Sequence, residues 1–204
     1  MRRESHVRFC EGPGVQFPRA TRLVIVFSDE GDARRVQDVL AKRFAKYGLR
    51  LHPEKTRLVP FKRPGNGGKA EEARGTAASF ELLGFTHFWG RSLKGNWVVM
   101  RKTAKDRLRL AVARISNWCR DSRHLPLRQQ HIKLTQKLRG HDAYYGITGN
   151  YRALQRLRSM MMRAWHKWLS RRSHAGRRNW RWMNEVVLKH FPLPAARIVH
   201  SSVK

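Results

Sequence analysis

The hydrophobic period of this chain changes once, near Lys102, and does not change back. Before that point apolar residues gather in short β-branched or alternating runs, as strands require. After it they recur every three or four residues, as helix faces require. One such switch predicts an α+β chain with strands and helices segregated along the sequence, divided between residues 100 and 101.

The first half holds few elements. Residues 1–21 show no period and carry Gly12, Pro13, Gly14 and Pro18, so an irregular segment is expected. Leu23-Val-Ile-Val-Phe27 reads as a short strand buried on both faces. Ser28 or Asp29 then caps a helix over about residues 30–47, with Ala33, Val36, Leu40, Phe44 and Tyr47 inward and Gly48 ending it. His52-Pro53 turns the chain into a second strand near residues 56–59. Residues 62–78 are a polar, Gly-rich loop. Phe80 to Trp89 and Asn96 to Met100 are expected to be the two strands of a hairpin that turns between Gly90 and Gly95.

Four helices are expected in the second half. Ala104, Leu108, Ala111, Ile115 and Trp118 make the first stripe, and Leu127 to about Leu138 the second. Asn150 caps the third, whose apolar face is Tyr151, Leu154, Leu157, Met161, Trp165 and Trp168. The fourth runs from about Arg178 to His190 with Trp180, Met183, Val187 and Phe191 inward, and Pro192 stops it.

Charge limits what such a chain can bind. Its 204 residues include 44 Lys+Arg against 14 Asp+Glu, a net +30. That positive potential is relieved by an anionic polymer. The 41% hydrophobic content is enough for a core, so the chain is not a disordered polybasic tail. The basic residues alternate with core positions, which argues against a membrane-surface helix. No apolar run approaches the roughly 18 residues of a membrane span. Cys10 and Cys119 are too few and too far apart for a zinc site or a disulfide framework, and a reducing, cytoplasmic setting is expected. Nucleic acid is the expected partner, and no membrane partner is expected.

Several blocks then align, in order, with one family. Leu23–Phe27 with its following helix, Gly48-Leu-Arg-Leu-His-Pro-Glu-Lys-Thr56, and Phe80-Glu-Leu-Leu-Gly-Phe85 resemble late palm segments of group II intron reverse transcriptase/maturases. Arg139-Gly-His-Asp-Ala-Tyr-Tyr-Gly-Ile-Thr-Gly-Asn150, Trp165-His-Lys-Trp-Leu-Ser-Arg-Arg172 and Leu193-Pro-Ala-Ala-Arg-Ile198 resemble the maturase-specific domain. His141 stands where the family usually has Trp. The resemblance implies a partial palm at 22–100, followed by a helical thumb-plus-maturase region at 101–204. It also implies binding of group II intron RNA, or of an RNA/DNA duplex, to assist splicing in which the RNA supplies the catalysis.

One family feature is missing. Such polymerases carry Tyr-Ala-Asp-Asp immediately before the strand that corresponds to Leu23–Phe27, and its two carboxylates help hold Mg²⁺. Here those positions are Thr21 and Arg22. A hydroxyl and a guanidinium cannot replace two carboxylates. The fingers and the early palm have no counterpart either. The codons CGC TAC GCG GAC for Arg-Tyr-Ala-Asp, read one base later, encode Ala20-Thr21-Arg22, so residues 1–22 read as an out-of-frame stretch.

Accordingly no catalytic or metal-ligating residue is assigned, and no cofactor is expected for this fragment, although the intact family uses Mg²⁺. Two other readings stay open: an RNA-directed DNA polymerase completed by a separately encoded N-terminal half, and a non-functional relic. The RNA-binding candidates are Lys55 of the palm block, then Arg101, Lys102, Lys105 and Arg107 after the hairpin, with Arg109 beside them. To these are added Tyr144 and Tyr145, the helix stripe Arg152, Arg156, Arg163 and Lys167 beside the apolar face, and Arg171 and Arg172 beyond it. Trp118, Trp165, Trp168, Trp180 and Trp182 sit mostly at core spacing, so packing is their expected role. His141, His166 and His174 lack metal-like pairing.

Overall fold

The computed structural model describes residues 6–10, 23–52, 56–64, 79–172 and 178–201. It is mixed α and β and divides into two compact units, Met1–Met100 and Arg101–Lys204. The division falls where the hydrophobic period changes.

Unit one contains two three-stranded sheets. In the first, strand β1 (His6–Cys10) lies between β2 (Leu23–Phe27) and β3 (Arg57–Pro60) and runs antiparallel to both. The segment expected to be irregular therefore supplies the central strand. His-Val-Arg-Phe-Cys does alternate polar and apolar residues, but five residues between unpatterned flanks give too short a signal to stand out. Helix α1 (Glu30–Lys46) begins as expected: Asp29 Oδ1 accepts the Gly31 and Asp32 amides at 2.7 and 3.2 Å. Gly48 follows it at φ +70°, a conformation that favours glycine. Of the five residues expected to face inward, Ala33 is fully buried, Val36, Leu40 and Phe44 are half-buried, and Tyr47 is exposed.

The second sheet has the order β4 (Phe80–Leu82), β5 (Phe85–Arg91) and β6 (Trp97–Thr103). Phe80 to Trp89 is thus not one strand. It folds back at Leu83-Gly84, with φ +51° and +79°, and β4 pairs antiparallel with β5 through Leu82↔Phe85. Two positive φ values are what a two-residue hairpin needs to match strand twist, and Leu is a poor residue for such a position. Phe61 and Phe80 form the buried centre of this unit. Phe61 meets Phe80 edge-on at 4.9 Å and stacks on Trp89 at 5.3 Å.

Unit two is helical. Helices α2 (Lys105–Asp121), α3 (Leu127–Tyr145) and α4 (Tyr151–Leu169) are followed by α5, one turn of α-helix (Trp180–Trp182) passing into a π-helical stretch (Met183–Leu188). Their core contains Ile115, Cys119, Leu134, Leu138, Leu157, Met161, Trp165, Met183 and Val187. Burial pushes the Cys119 thiol up to about 12, so it is an inert core group. Helix α3 runs seven residues past its expected end, which places Arg139 to Tyr145 on the helix. Trp180, expected inward, is 45% exposed. None of the described helices is long and apolar enough to cross a membrane.

Asn150 departs from expectation in an informative way. It stands at the N-cap of α4, yet its side chain does not cap the helix. Its Oδ1 accepts the Thr103 amide at 2.9 Å, and its Nδ2 donates to Thr103 Oγ1 and to the Tyr145 carbonyl, both at 2.8 Å. Three well-made bonds in a buried setting outweigh one cap bond at a helix end.

The C-terminal tail closes the turn between α3 and α4. Gly146 O accepts the Val199 and His200 amides at 2.7 and 2.8 Å, and Asp142 Oδ2 accepts the Arg197 amide at 3.2 Å. Arg158 on α4 donates to the carbonyls of Pro194 and Leu193. The segments 139–150 and 193–198, read separately in the sequence, therefore pack as one structure.

Candidate nucleic-acid interface

Helix α4 has the most sharply divided faces in the protein. Leu154, Leu157, Met161, Ala164, Trp165 and Leu169 are buried on one side. Arg152, Arg156, Arg163 and Lys167 are all exposed on the other. At 3.6 residues per turn these four fall within roughly 60° of arc. The stripe lies opposite the apolar face, not beside it as the sequence reading had it. None of the four pairs with an acid among the described residues, whereas Arg34, Arg35, Arg109, Arg120 and Arg181 do.

Aromatic rings flank the end of this stripe. Trp168 is held by its indole N–H donating to Ser116 Oγ at 3.1 Å, and its ring carries Lys167 and Arg171, each 5.3 Å from the centroid. Trp180 stacks on His166 at 4.4 Å, and Arg178 lies 4.2 Å over Trp182. Exposed Trp180 is thus a surface ring on a basic face. Arg172, expected to bind RNA, donates to the His124 carbonyl at 2.7 Å and ties the end of α4 to the turn before α3.

The remaining candidates scatter. Lys55 lies outside the described residues. Arg101, Lys102 and Lys105 are exposed where β6 hands over to α2. Tyr144 is 51% exposed and meets Tyr145 edge-on at 4.7 Å. Tyr145 is half-buried and stacks on His141 at 4.5 Å. Burial, with Tyr144 second, raises the Tyr145 phenol, while Arg107 pulls it the other way.

Arg107 leads to a feature that the sequence reading missed. A cavity of about 320 Å³ opens between α2, α3 and α4. The exposed cations Arg107, Arg114 and Lys137 line it, together with His141, Tyr145 and the buried apolar side chains of Ile115 and Leu157. The signal was present as spacing: Arg107 and Arg114 are seven apart on α2, Lys137 and His141 four apart on α3, each pair on one helix face. Individually they look like surface charges.

His141 is the unusual group in this cavity. Its side chain is 10% exposed, and neither ring nitrogen has a hydrogen-bond partner among the described residues, Asp142 Oδ1 standing 4.0 Å from Nδ1. Burial takes its pKa down to about 4, so it is neutral at physiological pH. Beside it, burial raises the Asp142 carboxyl, partly offset by the bond from the Arg197 amide.

Comparison with known proteins finds no matching family model, no matching curated protein and no matching solved structure.

Proposed function

We propose that this chain is the RNA-binding, C-terminal part of a group II intron reverse transcriptase/maturase, and that it binds intron RNA to favour its splicing-competent fold. The observation that carries this reading is the outer face of α4, where four cations without acidic partners among the described residues run toward the Trp168 and Trp180 rings. Regularly spaced cations at one helix face match phosphates along a backbone. The exposed Trp180 ring and the guanidinium planes can accept unstacked bases, which folded RNA presents in loops and bulges, while half-buried Trp168 anchors Lys167 and Arg171 beside them. Duplex DNA offers no such bases, so this mixture favours structured RNA. The ordered blocks from Leu23 to Ile198 narrow the reading from RNA binding in general to this family.

In this mechanism the protein supplies binding energy and the intron supplies chemistry. Polymerase activity is not assigned to the chain, because Thr21 and Arg22 stand where the family has its metal-binding acids, and a guanidinium repels Mg²⁺. A splicing assay tests the proposal. At a Mg²⁺ concentration where the group II intron proposed as its partner splices poorly alone, the purified chain should speed splicing. Unchanged splicing by fully bound RNA would refute the maturase assignment.

A further inference from the structure

The cavity between α2, α3 and α4 has three kinds of wall, and no single simple ligand but one uses them all. A bare phosphate would satisfy Arg107, Arg114 and Lys137 but would make no use of the Tyr145 ring or of the two His141 nitrogens, which have no hydrogen-bond partner among the described residues. A purely apolar group would leave the cations unused. A nucleotide has a charged phosphate, a flat ring and a polar ring edge in one molecule. We propose that the cavity receives one unpaired nucleotide of a bound RNA, with the base against His141 and Tyr145 and its phosphate held by Arg107, Arg114 and Lys137.

Several observations support this assignment. The volume of about 320 Å³ lies at the lower end of the range for small-molecule sites. Tyr145 and His141 already stack at 4.5 Å, with their planes 26° apart, so they offer a pre-ordered aromatic wall. A buried polar group without a partner calls for an explanation, and for His141, which alone among such residues lines this cation-rimmed cavity, a ligand supplies one. As a neutral imidazole, His141 presents one N–H and one bare nitrogen, the same donor-and-acceptor pairing that a base edge presents. The inference rests on the RNA-binding reading but concerns a surface distinct from the α4 stripe.

The experiment uses the full chain with labelled histidine and follows the His141 ring resonances. Each of the four nucleoside 5′-monophosphates is titrated separately, with inorganic phosphate as the comparison. At least one nucleotide should shift His141 saturably, inorganic phosphate should not, and Arg107→Gln/Lys137→Gln should weaken the nucleotide response by about tenfold or more. Both replaced side chains are exposed, so that variant keeps its fold. His141→Phe should retain the stack but lose discrimination among the four bases. Equal shifts from phosphate and nucleotide would make this an anion site only and overturn the proposal. Intact RNA binding with no nucleotide shift would overturn the cavity assignment alone, whereas loss of both would overturn the RNA-binding reading beneath it.

Discussion

Trp165 donates its indole N–H to Gln130 Oε1 at 2.8 Å, and both residues are buried, at 0% and 1% exposure. Gln130 in turn donates through Nε2 to the Arg123 and Leu125 carbonyls at 3.2 and 2.7 Å. One amide thus joins α4, α3 and the turn between α2 and α3. The ring is core, not a stacking platform for RNA. Trp165→Ala should destabilise the fold by roughly 3–5 kcal/mol. Gln130→Leu should cost about 1–3 kcal/mol, because it orphans the indole and two carbonyls. Denaturant unfolding measures both, and a double-mutant cycle should show coupling. Independent effects would contradict the shared bond.

Gly146 has a backbone that alanine adopts freely, with φ −76° and ψ 56°. Its requirement for glycine is therefore steric. A Cβ there would collide with the Asp142 and Arg197 carbonyl oxygens, which are backbone atoms and cannot swing aside. Gly146→Ala should destabilise by roughly 1–3 kcal/mol. It should also release the Val199 and His200 amides to faster hydrogen exchange. Unchanged protection of these two amides would mean that the tail does not depend on this close approach.

Acid should weaken the fold through His141. Its folded pKa, about 4, lies below the ordinary 6.5, so its contribution is present above pH 6.5 and is withdrawn as pH falls through 6.5 toward 4. The loss from this group alone is at most on the order of 3 kcal/mol. Asp142 acts with the opposite sign. Its pKa is raised, so protonating it favours the fold and offsets part of the loss in the acid range. His141→Phe should flatten the stability profile between pH 6.5 and 4. A variant with the wild-type acid limb would assign that limb to other groups.

Much of the helical unit was legible because each helix shows its buried face at a regular spacing. Leu154, Leu157, Met161 and Trp165 recur at helical intervals, and all four are buried. Asp29 was legible as a cap because an acid directly precedes the first helical period, and its oxygen does accept two amides. What escaped depends on distant partners. Asn150 has the residue type and position of a cap, but Thr103, far away in sequence, competes successfully for its amide. The turn at Leu83-Gly84 was hidden because a leucine at positive φ imitates a continuing strand. The cavity was hidden for the same reason: its cations come from two helices, and no local pattern reports that they converge.

The α4 stripe predicts a specific salt response. Each phosphate contact releases counterion, so affinity should fall with a log–log slope of about −0.7 to −0.9 per contact. Arg152, Arg156, Arg163 and Lys167 replaced together by Gln should reduce that slope by several units. The helix should persist, since Gln is a comparable helix former. An unchanged slope would move the phosphate contacts to another surface.

A net charge of +30 would make any RNA bind, so affinity alone does not distinguish an intron-binding protein from a polycation. The decisive measurement is binding of the full chain to a group II intron RNA, the proposed partner, at moderate salt, against a large excess of transfer RNA. Binding that survives the competitor, and keeps its preference at lower affinity in the four-Gln variant, is the predicted result: phosphate contacts then position the RNA and shape selects it. Complete displacement by transfer RNA would contradict the account and leave only a folded polycation.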